Sequence, residues 1–398
     1  MKTDTRRESC APPQGGFIPL CVPEIRGNEW KYIKECLDTN WVSSVGSFVD
    51  RFEREISARI GTPRAVATMN GTAALHIALL AAGVQADDEV LVSTLTFIAP
   101  ANAIRYVGAW PVFVDAEAEF WQMDAGKLKD FVEGGCQWVN GELRNRASGR
   151  RIKAILVVHI LGHPVDMDPI LETAQKYALP VIEDATESLG AKYRDRMVGH
   201  LGDIACFSFN GNKLITTGGG GMIVTDNEAW ACRARYLTTQ AKDDPVEFVH
   251  REIGYNYRLT NIQAAVGCAQ LEQFDSYIQG KRRIAARYTA ALSGVPGLTP
   301  MREAVWASSV FWMFTVLIDA EKYGMDSREL LRALDAVGIQ SRPLWQPLHR
   351  SLAHRSVTAG SCEVAERLNR DGLSIPCSVG LGPEDQERVI AELHRLAR

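Results

Sequence analysis

The sequence predicts an α/β protein: a large domain built on a mostly parallel sheet, followed by a smaller C-terminal α/β domain. Three observations carry that reading. From about residue 60 to 225, short apolar runs alternate with helical stretches, the pattern of strands joined by crossover helices. Most of those runs are continuous, as strands covered on both faces require. The 398 residues also exceed the roughly 250–300 at which a single hydrophobic core stops growing.

Taken in order, the strand candidates of the first part are Ala65–Thr68, Glu89–Ser93, Pro111–Asp115, Ala154–His159, Pro180–Glu183, Ile204–Phe209 and Met222–Thr225. Helices fit between them, notably Thr72–Ala82, Ala99–Val107 and Pro169–Tyr177. The stretch Glu133–Arg151 turns polar and Gly-rich, and Asn140-Gly141 between Trp138 and Leu143 reads as the turn of a surface hairpin. A long helix is expected from Asn261 to about Leu292. Beyond it a strand at Val310–Ile318 and helices at Ser327–Val337, Cys362–Asn369 and Pro383–Leu396 form the smaller domain. The division falls at residues 1–255 and 256–398.

Hydrophobic residues at 46% and charged residues at 23% exclude a disordered or fibrous chain. A formal net charge of −4 gives no global pull toward nucleic acid or an anionic membrane. No apolar run is long enough to span a bilayer, and the N-terminal MKTDTRRESCAPPQGG has no apolar core for a signal peptide. The nine cysteines are scattered without a C-x-x-C, which is neither a disulfide framework nor a zinc site and suits a reducing compartment. His159 and His163 lie four apart without further ligands nearby, so no metal is expected. The expectation is a cytoplasmic protein with no nucleic-acid or membrane partner.

Three segments carry chemistry. Asn70-Gly71-Thr72 follows a strand and opens a helix. A cap, a glycine and a hydroxyl beside unpaired helix amides can hold a phosphate, although a plain capped helix reads equally well. Glu183-Asp184 closes the apolar strand at Pro180. A buried acid there is either the cap of the next helix or the partner of a cationic group. Ser208–Lys213 follows another apolar strand, and Gly218–Gly221 comes soon after. A lysine crowded by backbone in a desolvated place suits Schiff-base chemistry, whereas a lone lysine is ordinarily a solvated one. Together an anion site, a carboxylate for a ring nitrogen and an imine-forming amine are what pyridoxal 5′-phosphate needs. Neither G-x-G-x-x-G after a strand nor G-x-x-x-x-G-K-[ST] occurs.

At these residues the chain resembles the DegT-type nucleotide-sugar aminotransferases, a branch of the fold-type I pyridoxal-phosphate enzymes. The matching stretches run in order: Trp41–Gly46, Asn70–Leu75, Asp88–Val90, Thr96-Phe97, Gly108-Ala109, Val158-His159, Glu183-Asp184, Ser208–Lys213, Gly218–Gly221 and Gly254–Arg258. The resemblance implies that Lys213 holds the cofactor as an imine and shuttles protons, while Asp184 pairs with the ring nitrogen. Phe97 would stack on the ring, and Gly71, Thr72 and Ser208 would hold the phosphate. Asn256 from a neighbouring subunit would complete that phosphate site, which makes a homodimer the implied unit. Many relatives carry Gln where this chain has Glu187. A carboxylate beside the cofactor's phenolic oxygen is unfavourable unless protonated or turned away, so the role of Glu187 stays open here.

The implied reaction is a two-half transamination from L-glutamate to C4 of a nucleotide-linked 4-keto-6-deoxy sugar, for bacterial surface glycan or nonulosonic acid biosynthesis. The hairpin insertion is similar to that of the subgroup linked to legionaminic acid and bacillosamine sugars, which implies a UDP-4-keto-6-deoxy-N-acetylhexosamine acceptor. Alternatives are a GDP-perosamine-type acceptor and a dTDP-3-keto sugar. A 3-dehydratase would lack the lysine, and an idle cofactor-binding regulator remains the reading of another class. Arg258 is the candidate cation for substrate carboxylate or diphosphate. Trp345, His349 and His159 are candidates for the substrate pocket, with core packing as the other reading of each.

Overall fold

The computed structural model describes residues 16–244, 246–354 and 360–398; Cys10 and the rest of the N-terminal segment up to residue 15 lie outside the described residues. The large sheet has seven strands in the order Arg64–Thr68, Gly221–Thr225, Ile204–Ser208, Val181–Asp184, Ile152–Val158, Glu89–Ser93 and Trp110–Val114. All neighbours pair in parallel except those made by Gly221–Thr225, which runs opposite to both of its neighbours. The seven apolar runs read between residues 65 and 225 all become strands, displaced by a residue or two at their ends. Glu89–Ser93 is buried throughout, because two separate hydrophobic clusters cover the two faces of the sheet. Removing apolar surface on both faces at about 25 cal/mol per Å² is what drives such continuous runs into the centre.

The register of this sheet gathers the chemical segments. Gly221 lies opposite Thr68 on one side and Ser208 on the other. A Cβ there would come within 2.5 Å of Asn70 O, so glycine lets the helix start at Asn70 and the loop after Ser208 sit side by side. Asp184 is level with Cys206 and with Val158 on its two neighbours. The carboxyl ends of these strands therefore open into one place, where ligands of open α/β sheets bind.

Three elements differ from the sequence reading or sharpen it. The expected long helix is two, Asn261–Leu271 and Phe274–Leu292. The first starts from a capping box between Thr260 and Gln263 and packs closely on the helix Ser47–Ile60. A Cβ on Gly267 would meet the Phe52 ring at 2.7 Å. At Gln273 the backbone reaches φ −100°, ψ −1°, which turns the second helix away toward the smaller domain. The strand expected at Val310–Ile318 begins only at Phe314, because Phe311 has φ 48° and interrupts an extended backbone. The polar insertion is a hairpin of Cys136–Val139 and Glu142–Asn145, with Asn140 at φ 52° and Gly141 at φ 79°, the left-handed pair that a tight two-residue turn needs.

The smaller domain carries a second sheet in the order Leu298–Pro300, Phe314–Ile318, Gly372–Ile375 and Arg342–Pro343, antiparallel throughout. Among the described residues, no helix is long and apolar enough to cross a membrane, and no group of three or more His, Cys, Asp or Glu could hold a metal ion.

Candidate active site

A cleft of about 850 Å³ opens at the carboxyl ends of the large sheet. Its floor holds Gly71, Thr72, Asp184, Glu187, Ser208 and Lys213, and Phe97 and Trp345 stand on its walls. The structure thus brings together eight of the residues singled out from the sequence.

Each is positioned by a local device. Asn70 Oδ1 accepts a hydrogen bond from Ala73 N at 2.8 Å, fixing the start of the helix Gly71–Ala81 and leaving its first amides facing the cleft. A Cβ on Gly71 would lie 2.9 Å from Ser208 Cβ and 3.1 Å from Thr186 Cγ2, so only glycine fits this cradle. Lys213 closes a turn in which its amide donates to Asn210 O at 3.0 Å. Its Nζ lies 4.0 Å from the centre of the Trp312 ring and 3.7 Å from Glu187 Oε1, so the amine is half-caged in a low-dielectric corner. Phe97 remains 56% exposed, an aromatic face left open to the cleft.

The acids differ in state. Glu183 is buried, yet its pKa is lowered: burial pushes it up, but His159 and backbone amides outweigh this. Glu183 Oε2 accepts from Gly199 N at 2.9 Å, and Oε1 accepts from Leu201 N and Gly202 N at 2.8 and 2.7 Å. Val165 N donates to His159 Nδ1 at 2.9 Å, so the ring proton sits on Nε2 and is donated to Glu183 Oε2 at 3.0 Å. Asp184 is also buried, and there burial prevails and raises its pKa. Its carboxylate accepts from Thr186 N at 3.1 Å and faces the cleft, ready for a cationic partner. Glu187 is pushed up to about 7, chiefly by burial and against the pull of Lys213. Leu161 N donates to Glu187 Oε2 at 2.8 Å, and Leu161 adopts φ 61° to do so, a strained conformation for a non-glycine residue.

Four candidates lie elsewhere. His159 is fully buried beneath the floor, in the pair with Glu183, so it supports the strand ends and does not reach the cleft. His349 does not line the cleft; its Nδ1 meets Thr94 Oγ1 at 2.8 Å and its Nε2 meets Glu366 at 3.0 Å, joining the two domains. Arg258 is no free cation: its Nη1 donates to Glu53 Oε1 and to Ala67 O, both at 3.1 Å, and burial lowers its pKa. Asn256 and Arg258 line a second cleft of about 810 Å³ with Ser44, Arg235, Phe248 and Ile253. Sequence reasoning missed Trp312, which sits in the stretch read as strand, and Cys21 and Arg342, which line the cofactor cleft from outside every quoted motif.

The donor set fits pyridoxal phosphate: a glycine cradle at a helix start, a buried acid short of a positive partner, an amine and an open aromatic face. The sequence pattern of the DegT/DnrJ/EryC1/StrS aminotransferase family matches residues 23–394. The chain belongs to this family. Among its relatives, the GDP-perosamine synthase of Caulobacter vibrioides is 41% identical over 380 residues, 95% of this chain and 98% of that protein. A Bacillus subtilis protein described as the putative pyridoxal phosphate-dependent aminotransferase EpsN is 38% identical over 385 residues, 95% of each. The crystal structure of DesI in the presence of its TDP-sugar product superposes with a TM-score of 0.86 at 27% identity, covering 97% of this chain and 94% of that one. This DegT-family chain is a fold-type I, pyridoxal-phosphate-dependent sugar aminotransferase.

Proposed function

We propose that the protein transfers the amino group of L-glutamate to C4 of a nucleoside-diphosphate-linked 4-keto-6-deoxy sugar, and that a GDP-linked, perosamine-type acceptor ranks ahead of the UDP-linked N-acetylhexosamine suggested by the hairpin insertion. The observation that carries the chemistry is Lys213 Nζ held between Glu187 and the Trp312 face in a cleft whose floor is Asp184. The nucleotide preference rests on the 41% identity to a GDP-perosamine synthase over almost both full lengths.

When bound, pyridoxal phosphate supplies an electron sink and carries the amino group between the two halves of the reaction. Lys213 moves the proton: its Nζ would take it from the donor α-carbon and hand it on, and in the acceptor half the transfer would run in reverse; positioned proton transfer of this kind contributes about 10²–10⁴-fold. Asp184 accepts a hydrogen bond from the protonated ring nitrogen, and that cation reverses the burial that raises its pKa. Gly71, Thr72 and Ser208 hold the phosphate, and Phe97 covers the ring. Glu187, protonated up to about pH 7, donates its O–H toward the phenolic oxygen as a Gln amide would. Trp345 shapes the sugar side of the cleft. A second copy of the chain brings Asn256 to the phosphate, making the homodimer the working unit.

The test is a product assay by mass spectrometry. The holoprotein and L-glutamate are offered GDP-, UDP- and dTDP-linked 4-keto-6-deoxy sugars and a dTDP-3-keto sugar. Formation of the amino sugar from the GDP substrate, with 2-oxoglutarate in equal amount, is the expected result. Faster conversion of the UDP-N-acetyl sugar restores the other acceptor. A protein that binds the cofactor and converts none of them is the idle regulator.

A further inference from the structure

Lys281 is a buried ammonium, 2% exposed, in the helix Phe274–Leu292. Its Nζ donates to Trp312 O at 2.7 Å and to Cys377 O at 2.6 Å. The remaining neighbours are sulfurs, Cys377 Sγ at 3.7 Å and Cys21 Sγ at 3.8 Å. Among the described residues no carboxylate pairs with it. A charge sealed from water without an anion is costly, and these two thiols are the groups in contact that can supply one.

The thiols are unequal. Cys21 lines the cofactor cleft and is partly exposed, whereas Cys377 is buried. Cys377 N donates to Leu20 O at 2.8 Å, so the two backbones run alongside one another. The hydrogen bond from the Cys377 thiol, followed by the charges of Lys281 and Lys213, brings Cys21 down to about 6 against the effect of burial. Cys377 is driven well up by the same hydrogen bond. One sulfur is thus held as an accessible nucleophile while its neighbour keeps the proton, the division of labour between an attacking and a resolving cysteine.

We propose that Cys21 and Cys377 are a hydroperoxide-sensitive dithiol pair on the wall of the cofactor cleft, with Lys281 as the cation that activates Cys21. The Cys21 thiolate attacks one oxygen of the hydroperoxide. The O–O bond breaks, the alcohol or water leaves with a proton, and Cys21 is oxidised by two electrons to the sulfenic acid. Cys377 sulfur then attacks Cys21 sulfur, and the Cys377 proton leaves with the displaced hydroxyl as water. Two thiols and one hydroperoxide give a disulfide, an alcohol or water, and one water; a dithiol reductant returns the two electrons. As a thiol, Cys21 Sγ donates to Asn212 O at 3.4 Å, the carbonyl that also accepts from Trp312 Nε1 at 2.7 Å. Drawing this sulfur to Cys377 removes a contact on the residue that precedes Lys213.

The holoprotein is treated with hydrogen peroxide at pH 7, alkylated with iodoacetamide, digested without reduction and mapped by mass spectrometry. The expected product is a Cys21–Cys377 cross-linked peptide that dithiothreitol abolishes, with Cys232, which is exposed, recovered alkylated. In Cys377→Ser the sulfenic acid has no partner, so dimedone captures it at Cys21. Lys281→Met slows alkylation of Cys21 at pH 7 about tenfold, as expected when a thiolate becomes largely a thiol; where that variant does not fold, the dimedone arm decides. The proposal is overturned if peroxide gives no Cys21–Cys377 peptide, or if Cys21 in Cys377→Ser takes up no dimedone.

Discussion

Replacing Glu187 by Gln removes one ionisation from the floor of the cleft and leaves its shape nearly unchanged. The amide oxygen can still accept the Leu161 N–H that the carboxylate accepts at 2.8 Å. Only the charge facing Lys213 and Asp184 disappears. In the folded protein Glu187 titrates near 7, raised from 4.5 mainly by burial, and that difference corresponds to about 3 kcal/mol between its two protonation states. The direction follows from proton counting. Below about pH 4.5 the carboxyl is protonated in both folded and unfolded chains and costs nothing. As pH rises, the unfolded chain releases its proton while the folded one keeps it, so stability falls until about pH 7, beyond which the full cost of about 3 kcal/mol persists. Glu187→Gln has no such slope. The ligand-free wild type and variant are melted side by side from pH 5 to pH 8.5 at constant ionic strength. The variant is expected to lie within about 1 kcal/mol of the wild type at pH 5 and to melt progressively higher as pH increases, levelling off above neutrality. A melting difference that stays constant with pH, or a variant less stable than wild type at pH 8, would refute the account of Glu187 as a buried acid held by desolvation.

Lys213→Ala should lower turnover by at least about 10³-fold, a large part of what a positioned acid–base contributes, with the cofactor still bound non-covalently; stopped-flow half-reaction kinetics with glutamate measure it. Gly71→Ala places a methyl 2.9 Å from Ser208 Cβ and should weaken cofactor binding in a titration of the apoprotein by at least about tenfold, equal to 1.4 kcal/mol, while circular dichroism stays unchanged. Arg258→Met leaves Glu53 with Arg235 as its remaining cation and should destabilise the fold by about 3 kcal/mol in thermal melts. His159→Phe withdraws a donor from Glu183 and is expected to reduce stability more than it raises the KM for either substrate.

The sheet was legible because burial on both faces leaves a one-dimensional trace. Ile155, Leu156 and Val157 are apolar in succession, and each is fully buried. Helix and loop boundaries were less so. The break at Glu272–Gln273 has neither proline nor glycine to mark it; it follows from the helix Asn261–Leu271 seating Gly267 against Phe52, a tertiary demand that periodicity does not carry. The end of the strand at Phe314 was hidden for a related reason. Val310, Phe311, Trp312 and Met313 are all buried, so their composition is that of a strand, while the backbone at Phe311 turns to bring Trp312 beneath Lys213. Residues of the site that follow strands, Asp184 and Lys213 among them, could be read from order along the chain, since strand ends converge by topology. Cys21, Trp312 and Arg342 arrive from the N-terminal segment and the smaller domain, and no local pattern distinguishes them from packing residues.

The same logic explains why Glu183 and Asp184, adjacent acids on one strand end, do different work. Successive residues of a strand point to opposite faces, so the pair is split between two environments. Glu183 meets three backbone amides and the His159 Nε2–H, and their donors outweigh burial to keep it ionised. Asp184 is given only the side chain and the amide of Thr186 as donors, and burial raises its pKa. A buried carboxylate so sparingly satisfied is a cost to the ligand-free fold, and the cost is recovered when a protonated ring nitrogen arrives. Conversely, exchanging the two acids for Asp and Glu in reverse order would misplace both: the shorter side chain would fall short of the amides, and the longer one would crowd the cleft beside Glu187.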